Sequence, residues 1–295
     1  IENPSTDVAR YRAGDLDITS YALPPEQFAK LQKELPGEVF TTRTLATYSY
    51  ELNNKKAPFD NVNVRKALNL SLDRNVITDK VLGQGQTPTY VFTPTYIEEG
   101  HLIQQPAYSK EPMAQRNEEA IKLLEEAGYS KANPLKFSIL YNTNENHKKV
   151  AIAAASMWKA NTKGLIDVKL ENQEWKTYID SRRAGRYDAA RAGWNADYNQ
   201  ATTFGNYFLS NSSNNTAKYA NPEYDKAIAE SYVATDAEGR AKAYAKAEEI
   251  LAKDFGIVPI FNYVNPRLVK PYVKGYSGKD PQDHIYLRNL YIIKH

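Results

Sequence analysis

Asp197 stands between two aromatic residues in the run Trp194-Asn195-Ala196-Asp197-Tyr198. A carboxylate so placed in a cleft can form a charge-assisted hydrogen bond, stronger than its neutral equivalent. A loop aspartate otherwise serves as a turn or cap. Asp188 and Asp197 could also act as acid–base catalysts, but a carboxylate pair is defined by its separation in space. Signatures of other chemistry are missing. The four histidines, at 101, 147, 284 and 295, lack the close spacing of a zinc-binding helix, so no metal ligand set is expected. Gly83-Gln84-Gly85 lacks the remaining glycine and the Lys-Ser/Thr of a phosphate cradle, and Gly275-Tyr276-Ser277-Gly278-Lys279 has the wrong spacing for a nucleophile elbow. Both read as turns. The chain has no cysteine, which excludes disulfides, thiolate metal sites and cysteine nucleophiles. No cofactor is expected.

Such groups need a scaffold, and 295 residues are more than one hydrophobic core usually fills, so two α/β lobes are expected. With 42% hydrophobic and 25% charged residues and no apolar run near the length of a membrane span, the chain reads as a soluble globular protein. Its net charge of +3 comes from 38 basic and 35 acidic residues scattered without blocks, which argues against nucleic acid as a partner. Tyrosine is abundant: 22 Tyr and three Trp supply rings that bury area while their polar tips find hydrogen bonds, as ligand clefts require. The chain opens on Ile1, and residues 1–7 have neither a charged nor an apolar targeting region, so the start is expected to be processed or truncated.

Along the chain, helices are predicted over 7–13, 25–35, 64–72, 117–127, 147–161, 175–184, 224–234 and 237–255, with a further helix starting at Asp73. Strands are predicted over 16–18, 39–52, 135–141, 166–172, 187–192 and 258–264. Asn63 is the expected cap of the helix from Val64, and Gly128 the stop of the helix before it. Pro266 and Pro271 are expected to break the last strand pattern. The β-α-β-α alternation between 135 and 184 is that of a layered α/β domain.

Four stretches together resemble a known family. They are Phe59-Asp60-Asn61-Val62-Asn63-Val64-Arg65-Lys66-Ala67-Leu68 with Ser71-Leu72-Asp73-Arg74, and Asn117-Glu118-Glu119-Ala120 through Glu126-Ala127-Gly128-Tyr129. The third is Asn172-Gln173-Glu174-Trp175-Lys176-Thr177 followed by Tyr187-Asp188-Ala189-Ala190-Arg191-Ala192-Gly193-Trp194-Asn195-Ala196-Asp197-Tyr198. The fourth runs from Ile257-Val258-Pro259 to Tyr263-Val264-Asn265 and on to Tyr291-Ile292-Ile293-Lys294-His295. These resemble the peptide-binding cluster of extracytoplasmic solute-binding proteins, and most closely the oligopeptide-binding proteins of Gram-negative bacteria. Full-length members are considerably longer at the N-terminus.

The resemblance implies a periplasmic-binding-protein-like two-lobe fold of mixed sheets flanked by helices, lacking the N-terminal part. Residues 46–264 would form one complete lobe, 1–45 part of the other and 265–295 the return to it, with hinge crossings near Leu45 and Val264. It implies a periplasmic monomer that captures oligopeptides, closes over them and delivers them to an inner-membrane ABC permease, without being an enzyme. Asp197 would meet the peptide ammonium, and the backbone at Gly193 and Asn195 would pair with the peptide like an added strand. Arg191, Arg182 and His147 would meet peptide carboxylates; Trp175, Trp194 and Tyr263 would line side-chain pockets. Some relatives carry a lysine where Leu82 stands, and cysteines where Ala46 and Asn195 stand, so neither that contact nor a cross-link carries over. The same scaffold in relatives takes heme, dipeptides, cell-wall peptides or nickel. Outside this class, a peptide or glycoside hydrolase and an adhesive surface protein are the competing readings.

Overall fold

The 14-residue strand β1 (Val39–Leu52) organises the chain. Its period of two sends Tyr48, Tyr50 and Leu52 into the principal core and Thr47, Ser49 and Glu51 to the opposite side, and all six are buried. A strand buried on both faces belongs inside a sheet, and the computed structural model, which describes residues 3–20 and 22–295, places it there. The reading of the chain's start at Ile1 lies outside the described residues. The other strands of the sheet are β2 (Thr87–Pro88), β3 (Leu135–Asn142), β4 (Ile166–Gln173), β5 (Ala189–Asn195) and β6 (Ile257–Leu268), in the order β2-β6-β1-β5-β3-β4. β1 runs antiparallel to β5 and β6, whereas β3 runs parallel to β4 and β5. The sheet is mixed, as expected. A two-stranded ribbon, β7 (Val273–Lys274) with β8 (Tyr291–Ile292), lies apart from it.

Helices α1 (Pro4–Ala13) and α2 (Pro25–Glu34) precede the sheet and pack Val8, Tyr11, Phe28 and Leu31 against Leu268 in a small core of their own. α3 (Val62–Leu70), α4 (Met113–Glu126) and α5 (Glu145–Asn161) cover one sheet face, where Trp158 is fully buried and its indole N–H reaches the Leu68 carbonyl at 2.9 Å. α6 (Trp175–Arg183) packs on β3. α7 (Thr202–Gly205), α8 (Pro222–Val233) and α9 (Ala237–Lys253) build a second core with Leu45, Phe92, Tyr207 and Phe208.

Local chemistry explains where the elements depart from the predicted spans. α3 starts at Val62 because Asn61, not Asn63, is the cap: its Oδ1 accepts the Asn63 N–H at 2.9 Å. α5 starts two residues before His147 because Asn144 Oδ1 accepts the N–H groups of Asn146 and His147. Asp73 caps the turn before a π-helical segment, Val76–Leu82, rather than an α-helix. β5 is displaced to Ala189–Asn195 because β1 pairs with it there, from Leu52↔Ala189 to Ala46↔Asn195. β6 runs straight through Pro266. The Val269 N–H bonds the Glu38 carbonyl, which sets the ladder phase so that the Pro266 nitrogen points away from Thr41, toward a side where β2 reaches only to Asn262.

β1 and β6 change register between Arg43↔Val264 and Thr47↔Asn262, so β1 advances four residues (43 to 47) while β6 advances two (264 to 262). Thr44, Leu45 and Ala46 therefore bulge opposite Tyr263, whose carbonyl accepts the Thr44 hydroxyl at 3.1 Å.

Candidate functional site

β3 and β5 pair only at Ile139↔Ala189 and Leu140↔Ala190, and beyond that point the two parallel strands separate. In open α/β sheets the crevice at the carboxyl ends of such strands is where ligands sit. Here the split opens into a cavity of about 570 Å³, within the range of small-ligand sites. Arg191, Gly193 and Asn195 line it from β5, Tyr48 from β1, and Phe261, Tyr263 and Asn265 from β6. Asn142 lines it from the end of β3, and Asn144, Asn146 and His147 from the start of α5.

The backbone of β5 faces this cavity for a reason of phase. The Ala196 N–H bonds the Leu45 carbonyl at 2.8 Å, which makes Ala46↔Asn195 a non-hydrogen-bonded pair, and Tyr48↔Gly193 and Tyr50↔Arg191 follow at intervals of two. The amide and carbonyl groups of Arg191, Gly193 and Asn195 thus point away from β1, on the side where β3 no longer pairs. The Tyr178 hydroxyl takes the Arg191 carbonyl, and those of Gly193 and Asn195 lie further along the same edge.

Arg191 is the charge centre. Its Nη2 donates to the Tyr263 hydroxyl at 2.5 Å, and its guanidinium lies 5.2 Å from the centre of the Tyr48 ring. Arginine keeps its charge in any protein setting. Among the described residues, the other lining side chains are neutral amides, aromatics and aliphatics, together with His147, and none carries a carboxylate. Gly193 leaves room for that pair: a Cβ would lie 3.0 Å from both Arg191 Nη2 and the Tyr263 hydroxyl, so one of the two would have to shift. His147 stacks at a tilt 5.5 Å from Tyr48, and burial, then the Arg191 charge, holds its pKa well below the ordinary histidine value. The site is therefore a wall of fixed positive charge and neutral donors, suited to a ligand that brings its own anion.

Of the residues expected from sequence, His147, Trp175, Arg191, Gly193, Asn195 and Tyr263 line this cavity together. Trp175 is 53% exposed and stacks on Tyr178 at 5.8 Å. Trp194, one step out of phase, turns to the opposite face, packs edge-on against Tyr207 at 4.9 Å and donates its N–H to Thr203 Oγ1 at 3.2 Å. Arg182 lies outside the lining. It is buried against Glu51, with Nη2–Oε2 at 2.9 Å, and shares that carboxylate with the hydroxyls of Tyr207 and Thr216. Asp197 is exposed two residues beyond Asn195, also outside the lining, and its Oδ2 accepts the Thr203 hydroxyl at 3.3 Å. Asp188 sits at the other end of β5, paired with Lys56 at 2.6 Å. Although burial raises its pKa, the hydrogen bonds from Lys56 and Ser138 bring it below the usual value, the opposite of what a general acid needs. Asp188 and Asp197 are nine residue steps apart along largely extended chain, roughly 25–30 Å at strand rise, too far for a glycosidase pair.

Sequence reasoning missed Tyr48, Gln84, Gln86, Asn142, Asn144, Asn146 and Phe261 as lining residues. The parity of Tyr48 and Tyr50 was a signal for the first. Nothing local to the Asn-rich turn before α5 distinguishes a cavity wall from an ordinary helix cap.

The chain matches the family described as bacterial extracellular solute-binding proteins, family 5 Middle, over residues 1–216. It is 96% identical to the periplasmic oligopeptide-binding protein OppA of Haemophilus influenzae over 295 residues, all of this chain and 54% of that protein, so it spans about half the length of this curated relative. It superposes on the crystal structure of Haemophilus influenzae OppA in complex with RPPGFSPFR with a TM-score of 0.95 at 95% identity, covering all of this chain and 57% of that one. The Escherichia coli murein tripeptide binding protein MppA matches at 43% identity and a TM-score of 0.92, over all of this chain and 57% of that one; its unliganded open form matches at 0.83, over 56% of that chain. The match over residues 1–216 takes in most of the chain, and the protein belongs to the bacterial extracellular solute-binding proteins of family 5.

Proposed function

We propose that the protein of which this chain forms part is a periplasmic monomer that captures oligopeptides and delivers them to an inner-membrane ABC permease. The observation that carries this reading is the cavity at the split of β3 and β5, where the half-buried cation Arg191 meets no carboxylate among the described lining residues and a free strand edge runs through Gly193 and Asn195. A peptide brings what the wall lacks: a terminal carboxylate for Arg191 and His147, and a backbone that adds to the β5 edge without reading side chains. Asp197, beyond the end of that edge, is the partner for the peptide ammonium.

Residues 46–264 act as one lobe, and residues 1–45 and 265–295 belong to the other. The register break at Thr44–Ala46 opposite Tyr263 is suited to a hinge, since pairing is interrupted on both crossing strands there. The lower TM-score against the open form of MppA than against its other structure, at equal identity, supports such a movement. The structure named for OppA with RPPGFSPFR supports peptide over heme, dipeptide or nickel as the ligand.

Calorimetry with the family-length protein tests this. A free tripeptide should bind, and Arg191→Met should weaken it by about 10–100-fold, the scale of losing a charge-assisted hydrogen bond of roughly 1.5–3 kcal/mol. Unchanged binding in Arg191→Met, or equal affinity for the N-acetylated peptide in the parent, would remove the assigned grip.

A further inference from the structure

Asp197 is held, side chain and main chain, by residues that neither line the cavity nor belong to the strand. Thr203, 4% exposed on α7, accepts the Asp197 N–H at 3.2 Å and the Trp194 indole N–H at 3.2 Å, and donates to Asp197 Oδ2 at 3.3 Å. A hydroxyl has one donor and two acceptor positions, so all of its capacity is committed. The Asp197 carbonyl is taken by a separate segment: Gln282 Nε2 donates to it at 3.0 Å and to the Ala196 carbonyl at 3.4 Å. Gln282 is itself fixed. Its N–H bonds Asp280 Oδ1 at 2.8 Å, and Asp283 anchors the same turn to β6 through Asn265 Nδ2 at 2.8 Å and an ion pair with Arg267. The neighbouring Pro281 carbonyl accepts the Leu45 N–H at 2.7 Å, at the register break of β1.

We propose that Thr203 and Gln282 are positioning residues for Asp197, Thr203 orienting its carboxylate and Gln282 clasping its main chain across the hinge. Thr203 occupies Oδ2 and leaves Oδ1 for an ammonium group. Gln282 rides on residues 265–295, which the hinge reading gives to the opposite lobe, so its bonds to Ala196 and Asp197 form as the lobes close and break as they part. The grip on the peptide's amino end is then complete only in the closed state, which couples recognition of a free ammonium to closure. The inference rests on the reading of Asp197 as the ammonium partner.

The test uses the family-length protein with Ala-Ala-Ala and its N-acetyl form, measured by calorimetry and stopped flow in the parent and in Thr203→Val, Thr203→Ser, Gln282→Met and Asp197→Asn. The expected result for Gln282→Met and Thr203→Val is about five- to tenfold weaker binding of the free tripeptide, the scale of one neutral hydrogen bond, with a clearly smaller loss for the N-acetyl form. Thr203→Ser should restore the parent value. For Gln282→Met the loss should fall on the dissociation rate, because the clasp forms after encounter. Equal weakening of both peptides, or a loss confined to the association rate, overturns the proposal. Should Asp197→Asn leave the preference for the free amine intact, the ammonium assignment fails; should it abolish the preference while Gln282→Met and Thr203→Val keep it in full, the positioning roles alone fail. Gln282 is half-buried on a turn, so its methionine variant keeps the test open even if Thr203→Val unfolds.

Discussion

Replacing Arg182 with methionine is expected to cost stability and to leave peptide affinity nearly untouched. Its side chain is 10% exposed and that of Glu51 1%, and the pair is separated by 131 residues in the chain. Glu51 accepts three groups: the Arg182 guanidinium at 2.9 Å, the Tyr207 hydroxyl at 2.6 Å, and the Thr216 hydroxyl. Removing the one cation leaves a buried carboxylate with two neutral donors. Breaking a buried pair from one side costs about 3–5 kcal/mol. The two remaining hydrogen bonds, each worth about 1 kcal/mol, place Arg182→Met near the lower end. That is still a factor of more than about 100 in the folding equilibrium. Urea unfolding of the family-length protein, followed by tryptophan fluorescence, measures it, with calorimetry on the same variant for affinity. The double variant Arg182→Met/Glu51→Gln removes both charges and should recover most of the loss. A loss below about 1 kcal/mol, a double variant worse than the single one, or a large drop in peptide affinity with stability intact would refute the reasoning, the last by making Arg182 a ligand contact.

Gly193→Ala should weaken peptide binding about tenfold, because the added Cβ meets Arg191 Nη2 and the Tyr263 hydroxyl at 3.0 Å and forces that pair apart; calorimetry and a crystal structure of the variant check it. His147 should stay neutral well below the ordinary histidine value, and nuclear magnetic resonance of its ring protons measures this. The sign of its linkage follows: a depressed folded-state pKa contributes stability that is full above about 6.5 and is lost as pH falls from there toward the folded value, and His147→Gln should remove that part of the pH dependence. Ala46→Cys with Asn195→Cys should form a disulfide under air oxidation, since the two residues are a non-hydrogen-bonded pair whose Cα atoms lie about 4.5 Å apart in such ladders, inside the disulfide range. Free-thiol titration reads the outcome; two titratable thiols after oxidation would contradict the register.

The amino-acid sequence by itself determined the elements and the kinship. β1 is legible as Val39–Leu52 because its alternation of aromatic and small residues admits one reading, and β3 and β4 follow from short alternating apolar runs between helices. Helix starts slipped by a few residues wherever several asparagines stood close together, since capping depends on which amide oxygen reaches which N–H, a matter of backbone geometry. Only the tertiary structure decided which members of the Arg191 to Asp197 run act together. A one-residue step on a strand reverses the face, so Trp194 left the cavity that Arg191, Gly193 and Asn195 share, and the phase was set by pairing with β1, far away in the chain. Arg182 was equally undecidable from its neighbours: a buried arginine goes where its carboxylate is, and Glu51 reaches it only once β1 and α6 have packed.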